Sequence, residues 1–210
     1  MHIESRHFTL YAKRVLPNFF KDKRVLDVGS GDINGNNRFL FTNCDYTGND
    51  VVMAKNVTIV SKTKDLPYEE NTFDTIISTE CFEHDPEYKQ SLIKIHKMLK
   101  PGGLFVITCA APGRPEHGTR RTTPHDSFGT LGNLADMNDY YKNLDENDLN
   151  DAIDLETHFE YWSTYINTKS KDLYFIGLKH GSQHTIDEEY KASHVVNTSV
   201  LKFDNLHIRE

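Results

Sequence analysis

Apolar residues along the chain fall into short runs separated by polar turns, and the period of each run assigns an element. Leu10, Tyr11, Val15, Leu16 and Phe19 lie near helical spacing, and Pro17 ends or bends the segment, so the spacing predicts an N-terminal helix over 8–20 that covers a sheet. The run Arg24-Val25-Leu26-Asp27-Val28 enters Gly29-Ser30-Gly31, the pattern of a buried parallel strand ending in a tight turn. A helix is expected over 34–41, and 46–48 and 57–60 are two further short strands. The run 73–78 is the next strand and leads into a polar loop, 80–85. Asp85 is placed to cap a helix beginning at Pro86, whose stripe is Tyr88, Leu92, Ile95 and Leu99 and whose stop is Pro101-Gly102-Gly103. Leu104 to Thr108 is a strongly apolar strand. This alternation implies an α/β fold: a mostly parallel sheet with helices on both faces.

From 111 to 143 the pattern breaks into Gly, Pro, Thr, His and Arg. A loop of that length in a compact domain is usually functional or disordered. Helical spacing resumes over 146–155, and 159–166 and 173–178 read as an antiparallel hairpin. The organisation expected is one domain over 1–181, with 111–143 as an acceptor-binding insertion, and a polar tail over 182–210 of unassigned order. At 210 residues, 37% hydrophobic and 26% charged, the chain fits a soluble globular protein. No apolar run reaches membrane-spanning length, and no membrane partner is expected. A net charge of -7 opposes attraction to a phosphate backbone and argues against nucleic acid. Cys44, Cys81 and Cys109 are odd in number and widely spaced, and the N-terminus lacks a secretory pattern. A reduced, cytoplasmic setting is expected.

Chemistry enters at the glycine turn. Gly29 and Gly31 stand where a strand hands over, and Asp50 lies about 20 residues on, where a strand-end carboxylate can accept hydrogen bonds from ribose hydroxyls. The ordered set of motifs is more specific than either feature: 25–32 (VLDVGSGD), 46–50 (YTGND), 65–68 (DLPY), 71–74 (NTFD), 78–84 (STECFEH) and 98–104 (MLKPGGL). In this order they resemble the class I, S-adenosylmethionine-dependent methyltransferases, especially the type 11 group. The resemblance implies a Rossmann-like, seven-stranded sheet with an antiparallel C-terminal hairpin and S-adenosylmethionine as cofactor. It implies cofactor contacts at Asp27, Gly29, Ser30, Gly31, Asp50, Val51, Thr63, Asp65, Leu66, Thr79 and Glu80. Asp27 and Glu80 have the sign needed by the cofactor's ammonium group.

Two departures stand out: Lys62 falls where the family carries an adenine-contacting acid, unless that acid is displaced to Asp65, and Ile33-Asn34-Gly35 replaces the third glycine. A nicotinamide dinucleotide is the alternative cofactor, but its fingerprint requires glycine or alanine at Asn34.

Methyl transfer needs the acceptor aligned with the methyl carbon, and a base assists hydroxyl acceptors. His84, His117 and His125 are the base candidates. Arg120, Arg121, Asp126, Tyr140 and Tyr141 are candidates for binding the acceptor, and Tyr161, Trp162 and Tyr165 are either pocket wall or core. Loop histidines and paired arginines are equally at home on a solvated surface. His117, His125, Asp126 and His158 could ligate an ion but lack tight spacing, so no metal is expected. The expectation is a methyltransferase acting on an oxygen or nitrogen of a polar small molecule, such as a sugar or surface-glycan intermediate. A catalytically degenerate cofactor- or partner-binding protein and an NAD-dependent oxidoreductase stay open as alternatives.

Overall fold

The computed structural model describes residues 2–181, and the tail from 182 lies outside the described residues. Seven strands form one sheet in the order β3-β2-β1-β4-β5-β7-β6. They are β1 (Arg24–Val28), β2 (Asp45–Asp50), β3 (Ile59–Val60), β4 (Phe73–Thr79), β5 (Leu99–Ala110), β6 (Phe159–Asn167) and β7 (Asp172–Lys179). The first five pair in parallel, and β7 enters antiparallel between β5 and β6. This is the expected Rossmann-like sheet.

Each central strand is apolar on both faces because two cores flank it. Ile76, Phe105 and Ile107 point to one side, while Ile77, Leu104 and Val106 point to the other, as a two-residue period requires. On the second side lies α1 (Ile3–Val15), with Phe8 and Ala12 buried and the Phe8 ring stacked on Tyr174 at 4.5 Å. On the first lie α2 (Tyr88–Met98), through Leu92, Ile95 and Met98, and Leu149 and Leu155 from the two helices before β6. Burying one such side chain contributes about 1.5 to 3 kcal/mol. Trp162 packs against the first core and Tyr161 and Tyr165 against the second, which is the core reading of these aromatics.

Three local expectations give way. No helix forms over 34–41, where the chain runs as a loop into a short 3-10 turn, Arg38–Leu40. Asp32 Oδ1 accepts from the Gly35 amide at 2.8 Å, Asp32 Oδ2 from Asn36 Nδ2 at 2.9 Å, and Asn36 Oδ1 from the Arg38 amide at 3.0 Å. Short polar side chains here outcompete the helical ladder for backbone partners. Helix α2 starts at Tyr88 rather than Pro86, because Asp85 spends its carboxylate on the Glu87 amide and the Ser91 hydroxyl. The helix expected over 146–155 is two pieces. After the one-turn α3 (Phe128–Leu131) come α4 (Glu146–Ala152), closed by an Asp145/Asp148 capping box, and α5 (Leu155–His158), capped by Asp154.

Segment 111–143 is folded. Besides α3 it holds a 3-10 turn, Pro124–Asp126, and Thr130 Oγ1 donates to the Gly118 carbonyl at 2.5 Å. No helix among the described residues is long and apolar enough to cross a membrane.

Candidate active site

At the carboxyl edge of the parallel strands a cavity of about 360 Å³ opens, the position where open α/β sheets take ligands. Its floor is the glycine turn. Gly29 has φ +69°, and a Cβ there would lie 2.5 Å from Cys81 Cβ; at Gly31 a Cβ would lie 2.1 Å from Phe128 Cε2 and 2.8 Å from Asp50 Oδ2. Close approach from both sides therefore requires glycine. Asp50 fastens the turn: its Oδ2 accepts from the Gly31 amide at 2.9 Å and its Oδ1 from the Val51 amide at 2.7 Å. Burial nonetheless raises its pKa above the usual carboxylate range.

Beneath the turn Asp27 is buried. Tyr46 donates its hydroxyl to Asp27 Oδ2, and Asn37 Nδ2 donates to Asp27 Oδ1 at 3.1 Å and to Thr79 Oγ1 at 3.0 Å. Burial outweighs these bonds and pushes the Asp27 carboxyl up to about 6. Glu80, at the end of β4, adopts φ +53°, a left-handed conformation rarely tolerated by a side chain of its size. Thr108 Oγ1 donates to its Oε1 at 2.8 Å, and His2 Nε2 lies 3.1 Å from both Glu80 Oε2 and Asp172 Oδ2. Arg114 Nη1 reaches Asp172 Oδ1 at 2.5 Å. Burial alone would lower the His2 pKa, but Asp172 and Glu80 outweigh it and push it up to about 10. The Glu80 charge is thus already balanced by His2.

Segment 111–143 closes over this floor. Phe128 lies on Gly31, a Cβ at Gly132 would meet Val52 Cγ2 at 2.4 Å, and Lys62 ties Asp136 at 2.5 Å to Glu87 at 2.7 Å. The acceptor-binding insertion expected over 111–143 thus shares one cavity with the glycine turn. Lys62, the departure in the adenine region, is a tether for this cap. Lys62→Ala should therefore weaken binding of a nucleoside ligand several-fold and speed proteolysis within 111–143. Limited trypsin digestion with and without ligand checks this, and an unchanged digestion rate would show that the cap does not depend on the tether.

Of the residues singled out from sequence, Asp27, Gly29, Ser30, Gly31, Asp50, Val51, Thr63, Thr79, Glu80, His84, His117 and Asp126 line the cavity. Asp65 is exposed beside Lys64, and Leu66 is buried in the core. His125 is exposed, 3.7 Å from Asp126, and Arg120 and Arg121 face outward, paired with Asp139 and Glu116. Tyr140 stands outside the lining, and Tyr141 lies behind His117, ring centroids 4.9 Å apart. Burial, reinforced by His117, lowers the His84 pKa to about 3, so its ring is neutral and a weak base. Sequence reasoning missed His2, Asn37, Arg114 and Phe128, which lie outside the motifs; only the Gly-Pro-rich character of 111–143 hinted at the last two.

No helix follows the glycine turn, so no helix N-terminus is available to hold a pyrophosphate, and the dinucleotide alternative loses its anchor. A family model described as a methyltransferase domain matches residues 26–107. Phosphoethanolamine N-methyltransferase 2 of Caenorhabditis elegans is 34% identical over 79 residues, covering 38% of this chain and 16% of that protein. A sterol 24-C-methyltransferase of Schizosaccharomyces pombe is 31% identical over 119 residues, 48% of this chain and 30% of its own. The chain thus spans less than a third of either curated relative. Among solved structures, 1,6-didemethyltoxoflavin-N1-methyltransferase of Burkholderia thailandensis, with its substrate and S-adenosylhomocysteine bound, superposes with TM-score 0.57 at 17% identity, covering 84% of this chain and 78% of that one. Residues 26–107 thus match a methyltransferase-domain model, and the strand order is that of the Rossmann-like fold the solved S-adenosylhomocysteine-bound methyltransferase shares.

Proposed function

We propose that this chain transfers the methyl group of S-adenosylmethionine to an oxygen or nitrogen of a polar small molecule, with a sugar or surface-glycan intermediate as the acceptor class. The observation that carries the reading is the glycine turn fastened to Asp50 above a buried Asp27, all opening on one cavity. Each Asp50 oxygen accepts one amide and keeps a further lone pair, so the carboxylate can also receive ribose hydroxyls. Asp27 answers the ammonium group, since the Glu80 charge is committed to His2. Ser61 and Thr63 border the adenine end. At the acceptor end stand His84, His117 and Asp126, a polar lining that supports a polar substrate. Alignment of acceptor and methyl carbon supplies much of the acceleration there. The relatives named above act on chemically diverse acceptors, so the acceptor class rests on this lining and the -7 net charge.

S-adenosylmethionine and S-adenosylhomocysteine should raise the melting temperature by mass action, and NAD should not. A shift with NAD and none with either sulfur nucleoside would sink the cofactor assignment. Incubating the protein with S-adenosylmethionine and a library of sugars, amines and phosphorylated alcohols should add one methyl mass to some member. Cofactor binding without any transfer would favour the degenerate alternative.

A further inference from the structure

Four buried polar atoms on three residues at the acceptor end have no hydrogen-bond partners among the described residues: both carboxylate oxygens of Glu83, His84 Nδ1 and the Tyr141 hydroxyl. Glu83 is fully buried and sits on the 3-10 turn Phe82–His84 just after β4. Its own amide and that of Ala110 lie near the carboxylate, but neither forms a well-shaped hydrogen bond with it. One ligand atom from each of Glu83, His84 and His117 lies within 4.8 Å of the others, and His117 Nε2 is 3.9 Å from Glu83 Oε1.

Leaving a buried carboxylate unpaired is among the most expensive arrangements a fold can keep, so the cluster calls for a missing positive partner. A neighbouring cluster shows the contrast. His2, Glu80 and Asp172 are equally close, yet there Thr108, His2 and Arg114 already satisfy the carboxylates, which makes that group an internal cross-link. Around Glu83 no cation among the described residues plays that part, and His117 Nε2, at 3.9 Å from Oε1, is its nearest basic atom in an ion pair. The histidines are set up as ligands. His117 Nδ1 lies 3.2 Å from the Pro115 carbonyl, and since a carbonyl only accepts, Nδ1 carries the proton and Nε2 turns a lone pair toward Glu83. His84 Nδ1 is buried without a hydrogen-bond partner among the described residues.

We propose that Glu83, His84 and His117 bind one divalent transition ion, of the zinc, manganese or iron(II) class, in the wall of the cavity, with the Tyr141 ring packed against both histidines. Two imidazoles and a carboxylate are a donor set such ions favour, and three protein ligands leave positions open for an acceptor oxygen. Bonds of about 2.0 to 2.2 Å require the ligand atoms to draw in by roughly 1 Å, a side-chain adjustment. Binding of the ion stands on this cluster alone; only its role, as a Lewis acid for the acceptor, rests on the methyltransferase reading.

The full chain, stripped with a chelator and shown folded by circular dichroism, should be titrated calorimetrically with zinc, manganese and cobalt(II) salts. One ion per chain is expected, with a raised melting temperature and visible cobalt(II) d–d bands. Glu83→Gln and His117→Ala should each lose about 100-fold or more in ion affinity, whereas His125→Ala, altering an exposed ring outside the cavity, should not. His117→Ala keeps the test decisive if Glu83→Gln does not fold, since His117 lies at the cavity edge. Absence of stoichiometric uptake by the folded, stripped chain, or undiminished binding by folded His117→Ala, would overturn the proposal. S-adenosylhomocysteine titrated into the same stripped sample reports separately on the cofactor reading.

Discussion

Asp50→Ala is expected to lose about 1.5 to 3 kcal/mol of cofactor affinity, roughly 10- to 150-fold, while remaining folded. The carboxylate serves two purposes, and the substitution removes both. Its spare lone pairs are the proposed acceptors for the ribose hydroxyls, and its bonded ones hold the Gly31 and Val51 amides that shape the turn. Without them the turn must be re-formed each time the ligand binds. Asp50→Asn keeps one oxygen and should fall between the two. Calorimetric titration with S-adenosylhomocysteine measures the difference, and equal affinity in a folded Asp50→Ala protein would place the ribose elsewhere.

Asp27→Asn should produce opposite effects on stability and on binding. Burial raises the Asp27 carboxyl from 3.8 to about 6, so between those values the folded state holds a proton that the unfolded chain has released. Stability of the ligand-free protein therefore declines by about 3 kcal/mol as pH rises from about 4 to about 6, and stays reduced above it. Asn removes that burden. Asn37 Oδ1, buried without a partner among the described residues, can accept from the new amide after a flip. The variant should melt higher than the parent at pH 8, with the gap closing below about pH 5. Cofactor affinity should drop instead, because the ammonium loses its counter-charge. In the parent, affinity should strengthen as pH rises to about 6 and then level off. Melting curves and titrations across pH 4.5–8 test both, and a pH-independent parent affinity would separate Asp27 from the ligand.

The sheet was legible because its strands are apolar on both faces and close on glycine or polar turns, so Val25-Leu26 and Leu104 to Thr108 declare themselves without tertiary help. The glycine turn and Asp50 were legible for the same local reason. What failed was decided by competition or distance. The segment 34–41 looked helical by position, and only the side-chain bonds of Asp32 and Asn36 reverse that. Glu83 is one polar letter within a motif, and nothing in its neighbours tells that it turns inward toward His117 from another loop. His2 meets Glu80 and Asp172 across the whole chain. Lys62 read as a departure from the family, yet it is occupied by Asp136 and Glu87.

The slot that β7 fills between β5 and β6 bears on how the molecule is made. During synthesis β5 leaves the ribosome well before residues 172–179, so for that interval its Leu104 to Ala110 edge has β4 on one side and nothing on the other. An apolar edge of that length is a template for any other unpaired strand, including the same segment on a neighbouring nascent chain. The last hairpin thus closes the sheet's most vulnerable edge, and shielding of the half-made chain matters most after β5 has emerged and before β7 has.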